Sequence, residues 1–122
     1  TGSLPLRNAY EMIAKSQISI FPFFEAISTE VACPIKLLEY MAFGKAMVID
    51  EVSDISKLLK DNNAALVCNP SNDNEFAENI RVLMNNPQLR KRIGENAKLL
   101  SKDYSWDIQG KKLAECLVDF MK

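Results

Sequence analysis

Apolar residues along this chain recur at two spacings. Between Arg7 and Lys15, Ala9, Met12 and Ile13 repeat at helical intervals, which predicts a short amphipathic helix. Ile18 to Phe21 is a compact Ile- and Phe-rich run ended by Pro22, and it reads as a buried strand. The stretch from Phe23 to Cys33 is long enough to be a functional loop. Pro34 then fits the first position of a helix, where its missing N–H costs nothing. In that helix Ile35, Leu38 and Ala42 make the expected inward stripe, supported by Leu37 and Met41, and Gly44 suits the residue just past its end. Ala46 to Ile49 is a continuous apolar run, as in a strand covered on both faces. Ser53 or Asp54 is placed to cap a helix through Leu59, and Ala64 to Val67 reads as a third strand.

Three helical segments close the pattern. Asn72 with Glu75 resembles a capping box ahead of Phe76, Ile80 and Leu83. Asn86-Pro87 restarts a helix carrying Leu89, Ile93, Ala97 and Leu100. Ser105 caps the last one, with Ile108, Leu113, Leu117 and Phe120 expected to turn inward and Trp106 expected to anchor the core. Strand, helix, strand, helix, strand implies right-handed crossovers and a parallel sheet. The expected class is therefore α/β, Rossmann-like, with three α/β/α layers. Three strands are few for this much helix. Residues 1–122 are accordingly read as a single, partial domain of a larger doubly wound unit, with a partner for the edge strand before Thr1.

Composition narrows the classes. The chain of 122 residues is 48% apolar and 25% charged with a net charge of −1, ordinary for a globular domain and no signature of nucleic-acid binding. No apolar run approaches the roughly 20 residues a membrane span needs, and the N-terminal residues do not read as a secretory signal. Cys33, Cys68 and Cys116 lack the spacing of a metal site, and the expectation is three reduced thiols, at least two packed as small apolar groups. The absence of histidine excludes a Ser-His or Cys-His catalytic unit within the chain.

The chemistry concentrates in the stretch "ACPIKLLEYMAFGK". In an open parallel sheet, ligands bind at the carboxyl ends of the strands, where loops lead into helices. The helix beginning at Pro34 has no strong side-chain cap, because Cys33 is not Ser, Thr, Asp or Asn. Bare N–H groups, the positive end of the dipole and Lys36 together suit a phosphate. Glu39, one turn on, is a carboxylate able to accept the two hydroxyls of a ribose. Spacing alone favours a plainer account: Lys36 and Glu39 at i and i+3 form an exposed pair worth about 0.2–0.5 kcal/mol.

The ordered series "YEMIAKSQISIFPF…CPIKLLEYMAFGKAMVID" resembles the C-terminal half of retaining, GT-B-type glycosyltransferases of the family 4 kind, also called group 1. The tail "LVCNPSNDNEFAENIRVLMNNPQLRKRIGENAKLLSKDYSWDI" is similar to the same family, and the likeness covers nearly the whole chain. The resemblance implies that Glu39 is the second glutamate of the family's E-x7-E motif, on the ribose of the nucleotide. It implies that the backbone N–H groups of Ile35 and Lys36 meet the diphosphate, with Pro34 beside them in the same nucleotide site. The first glutamate of the motif, the donor-sugar contact, falls on Val31, a departure that neighbouring Glu30 and Glu25 do not repair in spacing. The implied donor is a UDP- or GDP-linked sugar, with no cofactor and no metal, since a helix N-terminus and basic side chains take the metal's role. The implied acceptor is a glycan or lipid-linked sugar reached through an N-terminal domain outside this chain, which leaves the isolated chain inactive. A cytoplasmic setting is implied, with the inner membrane face as its extension if Arg90, Lys91, Arg92, Lys98 and Lys102 touch anionic lipid. A solvated helix face is the competing account of those charges. Two other readings stand against the transferase: a non-catalytic Rossmann-like module binding a nucleotide or partner, and a receiver-type domain phosphorylated at Asp50.

Overall fold

The computed structural model describes residues 2–23 and 33–122, so Val31, Glu25 and Glu30 lie outside the described residues. The elements in chain order are α1 (Leu6–Lys15), β1 (Ile18–Phe21), α2 (Ile35–Ala42), β2 (Ala46–Asp50), α3 (Asp54–Asp61), β3 (Leu66–Cys68), α4 (Asp73–Asn85), α5 (Pro87–Ser101), a 3-10 turn (Lys102–Tyr104) and α6 (Trp106–Phe120). The three strands form a parallel sheet in the order β1-β2-β3. The α/β class and parallel sheet expected from the pattern are what the fold contains.

The central strand decides the layering. All five residues of β2 are buried. Their side chains alternate across the sheet, so Met47 and Ile49 join one core with Leu37, Met41, Ile55, Leu59 and Ala97. Ala46 and Val48 join the other with Cys68, Leu83 and Ile93. The first core lies beneath α2 and α3, the second beneath α4, and α5 contributes to both through Ala97 and Ile93. A run with no polar alternation is what two covered faces require.

Local chemistry sets the boundaries. Gly44 has φ +64°, the left-handed geometry that ends α2, with Lys45 N–H donating to Tyr40 C=O (3.0 Å). Asn63 ends α3 in the same region at φ 51°, where asparagine is among the few non-glycine residues tolerated. Asn72 Oδ1 accepts from Glu75 N–H (3.1 Å) as a capping box demands, but the Glu75 carboxylate turns to Asn69 N–H (3.1 Å). Asn86 Oδ1 accepts from Leu89 N–H (2.9 Å) with Pro87 opening α5, and Ser105 Oγ accepts from Ile108 N–H (3.4 Å).

Several expectations are corrected. Pro34 is the N-cap residue of α2 and Ile35 its first helical residue. The inward face of α2 is Leu37 and Met41, both fully buried, while Ile35 is 70% exposed and Ala42 also faces outward. The stripe is rotated because the face is chosen by the crossing with α5, not by apolar count. In β1 only Ser19 is buried; the second core reaches Ile18 and leaves Ile20 half exposed. The third strand begins at Leu66, since Ala64 and Ala65 are spent in the turn after α3. α6 buries no residue: Leu113, Leu117 and Phe120 are exposed and Trp106 is 90% exposed. Its apolar stripe has no facing layer among the described residues. Only Cys68 is packed; Cys33 and Cys116 are exposed.

Candidate functional site

The carboxyl ends of the three strands lie on one edge of the sheet because the strands are parallel. Helices α2 and α3 start from that edge, directing their unpaired N–H groups toward it. At α2, Pro34 has φ −65° and ψ 122°, and no side chain among the described residues caps the helix. The Pro34 C=O accepts from Leu37 N–H at 3.0 Å.

One turn in, three side chains meet. Lys36 Nζ donates to Glu39 Oε2 at 2.6 Å, and the Tyr10 hydroxyl donates to Glu39 Oε1 at 3.1 Å. The Lys36 side chain is 45% exposed and that of Glu39 only 18%. Glu39 is thus a mostly covered carboxylate with one donor on each oxygen. Its hydrogen bond raises the Lys36 ammonium above the usual lysine range, opposed by desolvation, and likewise raises the Tyr10 phenol. Lysine stays charged and tyrosine stays a donor at neutral pH.

Helix α1 is placed to supply Tyr10 by a second polar tie. Lys45, just beyond α2, donates to the C=O groups of Ala14 (2.7 Å) and Ser16 (2.9 Å), covering the negative end of α1. The Tyr10 ring packs against Phe43 with centroids 5.6 Å apart. Tyr10 therefore has its ring held on one side and its hydroxyl on the other.

A second polar group stands at the same edge. Asp50, buried at the end of β2, accepts from Phe23 N–H at 2.9 Å and so ties the start of the first crossover to the start of the second. Burial pushes its carboxyl above the usual range, with the Phe23 bond opposing. A carboxylate buried and engaged in this way offers no ready target to a phosphodonor. Next to it, Ser56 Oγ accepts from Val52 and Ser53 N–H (3.1 and 3.0 Å) and donates to Ser53 C=O (2.6 Å), while the buried Ser53 Oγ has no partner among the described residues.

The sequence-derived residues are therefore brought together in part. Lys36 and Glu39 are in contact, Pro34 and Ile35 form the open helix start, and Val31 lies outside the described residues. Tyr10 was not foreseen as part of the site: it lies 29 residues from Glu39, and no local spacing reports that contact. The basic residues of α5 are also partly committed, since Arg90 Nη1 donates to the C=O of Leu83 and of Met84 (2.8 Å) at the end of α4. Among the described residues no helix is long and apolar enough to cross a membrane, and no group of three or more acidic or cysteine side chains is gathered as metal ligands would be.

Comparison with known proteins adds a second line. The family described as glycosyl transferases group 1 matches residues 1–100. A protein described as an uncharacterized glycosyltransferase of Methanocaldococcus jannaschii is 36% identical over 70 residues, 57% of this chain and 20% of that protein. The alpha-D-kanosaminyltransferase of Streptomyces kanamyceticus is 33% identical over 81 residues, 66% of this chain and 21% of that protein. An uncharacterized glycosyltransferase of Haemophilus influenzae is 29% identical over 72 residues. The chain thus spans about a fifth of the length of the curated relatives it matches.

Proposed function

The chain belongs to the glycosyl transferases group 1 family, and we propose that in the complete protein it seats the nucleotide of a nucleotide-sugar donor at the start of α2. The diphosphate lies against the N–H groups following Pro34, assisted by Lys36. The ribose hydroxyls donate to Glu39. The single observation that carries this reading is the Glu39 carboxylate, 18% exposed and gripped on both oxygens beside an uncapped helix start. A plain surface pair has no need of a second donor from another helix.

The reaction is sugar transfer with retention in a GT-B arrangement, from a UDP- or GDP-linked hexose to a glycan or lipid-linked acceptor. The acceptor and the groups that act on the sugar are supplied by other parts of the protein. The setting is the cytoplasm, with peripheral contact to the inner membrane face through the basic residues of α5. What supports these finer points is the ordered family resemblance.

The test is turnover. Full-length protein is offered UDP- and GDP-hexoses with simple sugar and lipid-linked acceptors, and released nucleoside diphosphate is measured. The expected result is release that depends on acceptor, with the donor's anomeric configuration kept in the product by proton NMR. Tight nucleotide binding without turnover on any donor would instead support a non-catalytic binding module.

A further inference from the structure

We propose that Tyr10 is the positioning residue that aims Glu39 at the nucleotide ribose, and that the Tyr10–Glu39 pair makes the site selective for ribonucleoside over 2′-deoxyribonucleoside diphosphates. This rests on the reading of Glu39 as the ribose contact.

The geometry supports it from three sides. A glutamate has a freely rotating carboxylate, and two vicinal hydroxyls need it in one orientation. Lys36 alone cannot fix it, since a donor on one oxygen leaves the carboxylate free to turn about that contact. The Tyr10 hydroxyl on Oε1 (3.1 Å) opposite Lys36 on Oε2 (2.6 Å) removes that freedom. An ionised carboxylate offers about four acceptor positions, so two donors leave roughly two free, the number a 2′,3′-diol uses. The tyrosine is itself held, by Phe43 against its ring and by Lys45 closing the end of its helix. Two side chains joined by a hydrogen bond act as a unit, so the effects of Tyr10 and Glu39 on binding are coupled.

The experiment is a cycle of Tyr10→Phe, Glu39→Ala and the double variant in the full-length protein. Each is titrated calorimetrically with UDP, GDP and their 2′-deoxy counterparts. Tyr10→Phe keeps the ring and its Phe43 contact, and an unchanged melting transition confirms the fold. We expect Tyr10→Phe to weaken the ribonucleotide that binds wild type by about threefold to tenfold. The same change should cost the deoxy ligand less, because that ligand keeps only the 3′-hydroxyl, and should be without effect when Glu39 is already alanine. Equal loss for ribose and deoxyribose ligands would overturn the proposal, because it marks a structural role only. Loss on Glu39→Ala with none on Tyr10→Phe would overturn it while leaving the ribose reading intact. If neither substitution changes affinity, or wild type binds neither ribonucleotide, both fall together.

Discussion

Gly94 sits where α5 crosses the turn that ends α2. A Cβ built there would lie 2.2 Å from the Gly44 carbonyl oxygen and 3.0 Å from its carbon. Both are backbone atoms, so no side chain can swing aside. Relief to ordinary contact near 3.5 Å means parting the helix and the turn by about 1.3 Å or more. Ile93 and Ala97 flank the glycine and are buried, and Ala97 packs with Leu37 and Met41. The separation therefore opens the core that fixes the inward face of α2. Overpacking of this kind costs about 3 kcal/mol or more, at the upper end of its usual range. Alanine returns about 1 kcal/mol in helix propensity. The net expectation for Gly94→Ala is a loss of about 2 kcal/mol or more. With urea slopes of about 1–3 kcal/mol/M, the unfolding midpoint should fall by roughly 0.7–2 M. Gly110 is the internal control: it lies in exposed α6 with nothing within 4 Å of an added Cβ. Gly110→Ala should leave stability unchanged or raise it by up to about 1 kcal/mol. Urea unfolding followed by far-ultraviolet circular dichroism reads both. A Gly94→Ala protein as stable as Gly110→Ala would refute the close crossing of α5 over α2.

Two further outcomes are expected. Trp106→Ala should shift stability by no more than about 0.5 kcal/mol, because the indole is 90% exposed and buries no core area; a loss of several kcal/mol of unfolding free energy in denaturant titration would mean that α6 packs elsewhere. Asp50 has a carboxyl raised by burial, so its stabilising contribution is full below the ordinary aspartate value near 3.8 and is lost as pH rises through the raised value. Asp50→Asn, which can still accept from Phe23 N–H, should be at least as stable as wild type at pH 7, with the gap closing in acid; a variant less stable by the same amount at every pH would contradict this.

Much of the fold was legible because its signals are local. Gly44 past α2, the Asn72 and Asn86 caps, Pro87 at the start of α5 and the unbroken apolar run of β2 each depend on a few neighbouring residues. The misreadings share a different cause. Apolar spacing shows which residues can be buried, not whether another layer covers them. Leu113, Leu117 and Phe120 keep helical spacing on α6 yet meet no core, and Ile20 lies at a sheet edge. On α2 two apolar stripes compete, and the Gly44–Gly94 approach selects Leu37 and Met41 over Ile35 and Ala42. The site divides in the same way. Lys36 and Glu39 are neighbours on one helix and could be paired from spacing, whereas Tyr10 comes from another helix and Asp50 is engaged by a loop nitrogen.

The placement of the nucleotide ribose on Glu39 is tested most directly by calorimetric titration of full-length wild type and Glu39→Ala with UDP and GDP. A charged hydrogen-bond acceptor lost from the ribose should cost roughly 1.5–3 kcal/mol, about a tenfold to hundredfold weaker dissociation constant for the nucleotide that wild type binds. Lys36→Ala, measured beside it, should lose less, because the backbone N–H groups after Pro34 remain. Equal affinities in wild type and Glu39→Ala would contradict the assignment and leave Lys36 and Glu39 as a surface ion pair.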